Sequence, residues 1–166
     1  MLFKLLSAID SRVAIPKIDA HCDIPCRIYD PMTAQIAALS VVRLMDIMDE
    51  TINGDGNALD QQNTIARCVG RKEEEAEKAK HEVRIIWGDY FKQPQFDAFP
   101  EIHEITHQIM LTASACKQGT ARVSGENLVE QVNRFAEIYW HSKDFKTANS
   151  PCPSPPNLPT VYPVLG

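Results

Sequence analysis

The sequence has no excess of positive charge, no apolar run of membrane-spanning length, no regular cysteine framework and no alternating strand pattern. Each absence removes a class of function. A net charge of −5 provides no basic field for phosphates, so nucleic acid is not expected as a partner. Nothing approaches the roughly twenty consecutive apolar residues of a membrane span, and no membrane partner is expected. The opening stretch MLFKLLSAI is broken by Lys4 and closed by Asp10, and Ile18-Asp19 spoils a small-residue cleavage site before Ala20. It makes a poor secretory signal. Five cysteines at irregular spacing point to a reducing compartment, and the protein is placed in the cytoplasm. Cys68 and Cys116 fall in apolar helical patterns, as small core residues do.

What remains is an ordinary globular composition, 44% hydrophobic and 23% charged over 166 residues, which suits one domain with a sizeable core. After Asp30-Pro31, Ile36, Leu39, Val42, Met45 and Met48 mark a first helix to about Ile52. NGDGNA (53–58) is a turn that lacks an EF-hand's glycine and glutamate in any one register, and Asp60 is the expected cap of the next helix. From about 61 to 92, Val69, Lys72, Ala76, Ala79, Val83, Ile86 and Tyr90 form one seam, while RKEEEAEKAKHEVR reads as a solvated face with Glu74 and Lys78 at pairing distance. Pro94 is expected to end this helix. A third helix spans about 100–117, and a fourth, after Ser124, carries Leu128, Val132, Phe135 and Tyr139. Short connections predict an all-α, up-down antiparallel four-helix bundle. The tail SPCPSPPNLPTVYPVLG holds six of the eleven prolines and is expected to be extended and disordered, with Cys152 a bystander.

Two motifs carry metal chemistry. HEITH (103–107) matches H-E-x-x-H on a helix: His103 and His107 as zinc ligands, Glu104 as general base and Glu126 as a third ligand would make a zinc metallopeptidase. The plainer reading is a helix surface with two histidines four apart, since Ile102, Ile105 and Ile109 commit that helix to the core and no strand pattern offers a substrate-aligning sheet. The second motif is HCDIPC (21–26). Alone it would fit a disulfide loop, a partial zinc or iron-sulfur site, or two unrelated thiols. Cleavage between Ala20 and His21 changes the chemistry. The freed amine of His21, the deprotonated backbone nitrogen of Cys22 and its sulfur would close two fused five-membered rings on one ion, and Cys26 would complete a plane of two nitrogens and two sulfurs. That set suits nickel(II) or copper(II) better than zinc, with the His21 imidazole available axially. A non-catalytic helical metal-binding protein is a third reading.

HCDIPCRIYDP resembles the N-terminal nickel hook of the nickel-containing superoxide dismutases, with a leader of twenty residues still attached. IIWGDYFKQPQFDAFPEIHE (85–104) resembles the turn between that family's second and third helices, and the similarity runs over roughly residues 21–146. The resemblance implies an oxidoreductase that disproportionates superoxide to oxygen and hydrogen peroxide through a Ni(II)/Ni(III) cycle, with one nickel ion per subunit held by His21, Cys22 and Cys26. It implies a cis bond before Pro25 that turns the hook back on the metal. Asp23 and Tyr29 would close the substrate approach, Tyr29 anchoring the anion or its water, with Tyr90 packed beside it. Relatives hold the ligand imidazole with a glutamate and an arginine; here Ala37 and Arg67 are matched to those places, so Arg67 would orient His21 while a water or carbonyl replaces the carboxylate. Arg27 stands where glycine is common. The implied organisation is a propeptide (1–20) that occludes the hook until a maturation protease cuts at Ala20-His21, a bundle domain (21–147) that buries the hook in a homohexamer, and the tail (148–166).

Overall fold

The computed structural model describes residues 27–165; the leader and the hook lie outside the described residues, and with them the assignments at Ala20, His21, Cys22, Asp23, Pro25 and Cys26. Helix α1 runs Met32–Ile52. It starts where expected, because Asp30 Oδ1 accepts the Met32 N–H at 2.8 Å and Pro31 already has a helical φ of −68°. Its buried face is built largely of small or β-branched residues, Ala34, Ala37, Ala38, Val41 and Val42, which let neighbouring helices approach closely. Helix α2, Ala58–Ile85, begins three residues before the expected position: the Asn57 side chain, not that of Asp60, caps it by accepting the Asp60 N–H at 3.0 Å. Gln61 ties the α1–α2 turn by donating to the carbonyls of Thr51 and Gly54, at 3.0 and 2.8 Å.

The second helix does not run on to residue 92. It passes into a π-helical turn, Ile86–Tyr90, and Pro94 then sits in the first turn of a short helix α3, Gln93–Ala98. Helices α4 (Ile102–Gln118) and α5 (Arg122–His141) complete the bundle, α5 starting two residues before Ser124. The four long helices pack around one core that includes Val42, Val83, Ile109, Leu128, Phe135 and Tyr139. At Gly125, an added Cβ would lie 2.9 Å from Val42 Cγ2, so only glycine lets α5 sit this close to α1.

The charge run is not wholly a solvated face. Lys72 is 2% exposed, and its ammonium donates to the carbonyls of Cys116, Lys117 and Gly119, the last two at 3.0 and 2.8 Å. A cation from α2 thus caps the negative C-terminal end of α4, whose last carbonyls have no helical donors. Burial also pushes the Cys116 thiol up to about 11, against which the Lys72 charge acts only partly, so Cys116 is the neutral core residue expected of it. Glu74 pairs with Arg71 at 2.9 Å, and Arg71 also holds the buried Glu75 at 2.5 Å.

The tail is extended but ordered. Strands β1 (Thr147–Pro151) and β2 (Pro159–Pro163) pair antiparallel, with Thr147 opposite Pro163 and Pro151 opposite Pro159. Pro151, Pro159 and Pro163 sit at strand ends, where a missing N–H costs the ladder least. Asn133 on α5 accepts the Val161 N–H at 3.2 Å and donates to Pro159 O at 2.7 Å. Gln35 on α1 donates to Val161 O and to Asn133 Oδ1, both at 2.9 Å. This buried polar knot overrides the expectation of disorder that proline content gave. Cys152 is no bystander either, being half-buried against the core. Among the described residues no helix is long and apolar enough to cross a membrane.

Candidate metal centre

The described chain begins at the end of the bundle where Tyr29, Tyr90 and Tyr139 meet. Tyr29 reaches it from the segment leading into α1, Tyr90 from the π-helical turn and Tyr139 from the last turn of α5. The π-turn matters here: its extra residue, marked by the Phe91 N–H bond to Ile86 O at 3.4 Å, turns Tyr90 toward the other two rings while Phe91 enters the core at 1% exposure. Ring centroids lie 6.1 Å apart for Tyr29 and Tyr90 and 4.9 Å apart for Tyr90 and Tyr139. These are tilted and edge-to-face arrangements, in which the positive rim of one ring meets the negative face of another.

The polar groups hold this cluster in one geometry. The Tyr139 hydroxyl donates to the Tyr29 carbonyl at 2.5 Å. Burial, then the neighbouring Tyr90, Asp30 and Tyr29, pushes its pKa far above the usual phenol range, so it stays a donor. Ser142 Oγ donates to the Tyr139 carbonyl at 2.7 Å, leaving its lone pairs for the Tyr90 hydroxyl at 2.9 Å. Tyr90 is therefore the donor in that contact. Above the rings stands Lys143, its ammonium 5.1 Å from the Tyr90 centroid and 4.9 Å from that of Tyr139. The result is a packed aromatic wall with a cation at its edge, immediately after the six residues that carry two thiols and an imidazole.

A family model described as nickel-containing superoxide dismutase matches residues 16–143. The chain belongs to the nickel-containing superoxide dismutases. It is 35% identical over 135 residues to the superoxide dismutase [Ni] of Streptomyces seoulensis and 36% identical to that of Streptomyces coelicolor, each match covering 80% of this chain and 97% of the relative. A solved nickel-containing superoxide dismutase with the nickel ligation of the oxidised state superposes with a TM-score of 0.67 at 34% identity, covering 75% of this chain and 99% of that one. A native nickel superoxide dismutase structure gives 0.65 at 33%, covering 74% and 99%. Membership makes the protein a nickel-dependent oxidoreductase acting on superoxide and leaves the zinc-peptidase reading unsupported.

The geometry at HEITH agrees with that correction. His103 Nδ1 accepts from Trp87 Nε1 at 3.2 Å, and its ring lies 4.5 Å from that of Phe96. Glu104 accepts from Gln108, and Glu126 is paired with Arg122. No group of three metal-ligating side chains converges among the described residues. Of the other site residues expected in a nickel superoxide dismutase, Tyr29 and Tyr90 are brought together. Ala37 is fully buried, and Arg67 lies on the exposed side of α2, nearer its start than the end leading to Tyr90. Arg27 has a φ of 58°, the left-handed region that favours glycine, which accounts for a glycine being common there. Sequence reading placed Tyr139 in the core without its hydroxyl contact and missed Lys143; an amphipathic lysine just past an aromatic helix end was the available signal.

Proposed function

We propose that His21, Cys22 and Cys26 hold the nickel ion, one per subunit, and that superoxide is disproportionated there beside Tyr29. The donor set fits the group: two thiolates, an ionised peptide nitrogen and a terminal amine would be strong donors of the kind nickel(II) takes. Bound there, nickel would supply the one-electron couple that superoxide dismutation needs. Overall, two superoxide anions and two protons become one oxygen and one hydrogen peroxide.

The chain's own residues position and exclude. The Tyr139–Tyr29 hydrogen bond is the observation that carries the reading, because it fixes the backbone three residues after Cys26 against a buried aromatic wall. Tyr29 anchors the incoming anion or its water, Asp23 narrows the approach, and Tyr90, with Lys143 over its face, packs against the Tyr29 ring. Pro25 restricts the hook's backbone. Arg67 orients the His21 imidazole; its exposed position suits contact with a second copy of the chain, in line with a homohexamer.

Until a maturation protease cuts at Ala20-His21, the amine ligand is an amide and the protein is an inactive propeptide form. A thiol hook of this kind belongs in the reducing cytoplasm. The test is to replace Cys22 or Cys26 with serine in the processed protein: nickel content and superoxide removal fall together. Retention of both with either serine variant rules out the assignment. If Arg67→Ala leaves the axial nickel–nitrogen signal unchanged, Arg67 has no orienting role.

A further inference from the structure

An apolar groove of about 660 Å³ runs along the outside of the bundle, and the function described above does not use it. Helix α1 contributes Met32, Ile36, Leu44 and Ile47, and the tail hairpin contributes Pro153 and Tyr162. Ile36 is 52% exposed in it. The charged groups that line it are already paired, Arg71 with Glu75 at 2.5 Å and Arg43 with Glu50 at 2.6 Å. What a ligand would meet is therefore mainly hydrocarbon. From Met32 to Ile47 the groove follows α1 for about 22 Å, at 1.5 Å per residue.

Two segments lie beyond the match to the family, residues 1–15 and 144–166. The second builds one wall of this groove. The first contains MLFKLLSAI, in which Leu2, Leu5, Leu6 and Ile9 recur at helical spacing. As a helix those nine residues would be about 13 Å long, shorter than the groove. They are also tethered to its near end, since the described chain starts at Arg27 and Met32 is a groove residue. Residues 10–26 can span up to about 60 Å, so the reach is ample.

We infer that the α1–hairpin groove is the docking site of the leader, residues 1–9 of the same chain, laid in by their Leu2–Leu5/Leu6–Ile9 stripe. A short tether gives an effective concentration on the order of 1 mM, so even a 0.1 mM contact would be about tenfold more bound than free. Cutting at Ala20-His21 removes that advantage, and at micromolar protein the leader departs. The release step rests on the proposed maturation; the docking does not.

The reporter is Cys152, which lines the groove. Its alkylation rate in the full-length chain is followed by peptide mass mapping, which separates it from Cys22 and Cys26. The wild type is compared with L2D/L6D and with I36D, helix content being checked by circular dichroism. Docking predicts that both variants react about tenfold faster than wild type with unchanged helix content. If I36D unfolds the chain, L44D takes its place. Equal rates in wild type and L2D/L6D overturn the inference, as does a speed-up in L2D/L6D that neither groove variant reproduces. Rates that depend on protein concentration and not on the leader assign the groove to a second copy, and also overturn it. Failure of the nickel reading would show separately, as processed protein without nickel-dependent dismutation.

Discussion

Tyr139→Phe isolates the bond on which the site's geometry depends. The substitution keeps a fully buried ring and its contacts with Tyr90 and Trp140, at centroid distances of 4.9 and 5.0 Å, and removes one hydroxyl. The Tyr29 carbonyl then loses its donor at 2.5 Å. Removing one partner of a buried hydrogen bond costs about 1–3 kcal/mol, and because Tyr29 is only half-buried the lower part of that range, about 1–2 kcal/mol, applies. Metal-free protein is the right sample, since bound nickel would add its own stabilisation. With a urea dependence of about 2 kcal/mol per molar, the unfolding midpoint should fall by about 0.5–1 M with an unchanged slope. Because the Tyr139 phenol stays protonated, the loss should be the same at pH 6 and pH 9. A midpoint equal to that of the wild type would refute the argument that this hydrogen bond holds the start of α1 to the end of α5.

Three further substitutions probe the scaffold. Lys72→Met keeps the buried stem but strips the donor from the carbonyls of Cys116, Lys117 and Gly119; we expect about 1–3 kcal/mol of destabilisation and faster hydrogen exchange at the end of α4. Unchanged exchange there would show that water replaces the ammonium without cost. Gly125→Ala gains helix propensity but drives a methyl to 2.9 Å from Val42, so a net loss of about 1 kcal/mol is expected in a thermal melt, and a rise in Tm would contradict the close packing. The Cys116 thiol has a raised folded pKa, so the native state keeps its proton when the unfolded chain has lost it. Its contribution is fully present below pH 9 and declines between pH 9 and about 11, and Cys116→Ala should lose less stability over that window than wild type. An equal decline in both proteins would assign it to other groups.

The helical seams were legible because their buried residues recur at the helix period: Val83, Ile109, Leu128 and Phe135 are all fully buried. Boundaries moved where a local bond decided them. Asn57 rather than Asp60 caps α2, and a π-turn rather than Pro94 ends it. The hairpin was invisible because only Thr160 and Val161 of its strands are buried, too few for an alternating signal, and its order comes from Gln35 and Asn133, side chains far away in sequence. Lys72 looked like one charge among many; its burial is set by the open end of α4, which no property of its own helix reveals. The proposed metal donors His21, Cys22 and Cys26 lie outside the described residues and are named from their closeness along the chain together with the resemblance of HCDIPC to a nickel hook, whereas the Tyr29–Tyr90–Tyr139 wall needs three segments to converge.

X-ray absorption at the nickel edge of processed protein, beginning at His21, bears most directly on the central assignment. The account predicts a shell with two sulfur donors at thiolate distance alongside nitrogen, one sulfur fewer in either Cys22→Ser or Cys26→Ser, and an axial nitrogen lost when His21 is replaced by alanine. A nickel shell made only of nitrogen and oxygen, or one that both serine variants leave intact, would contradict it.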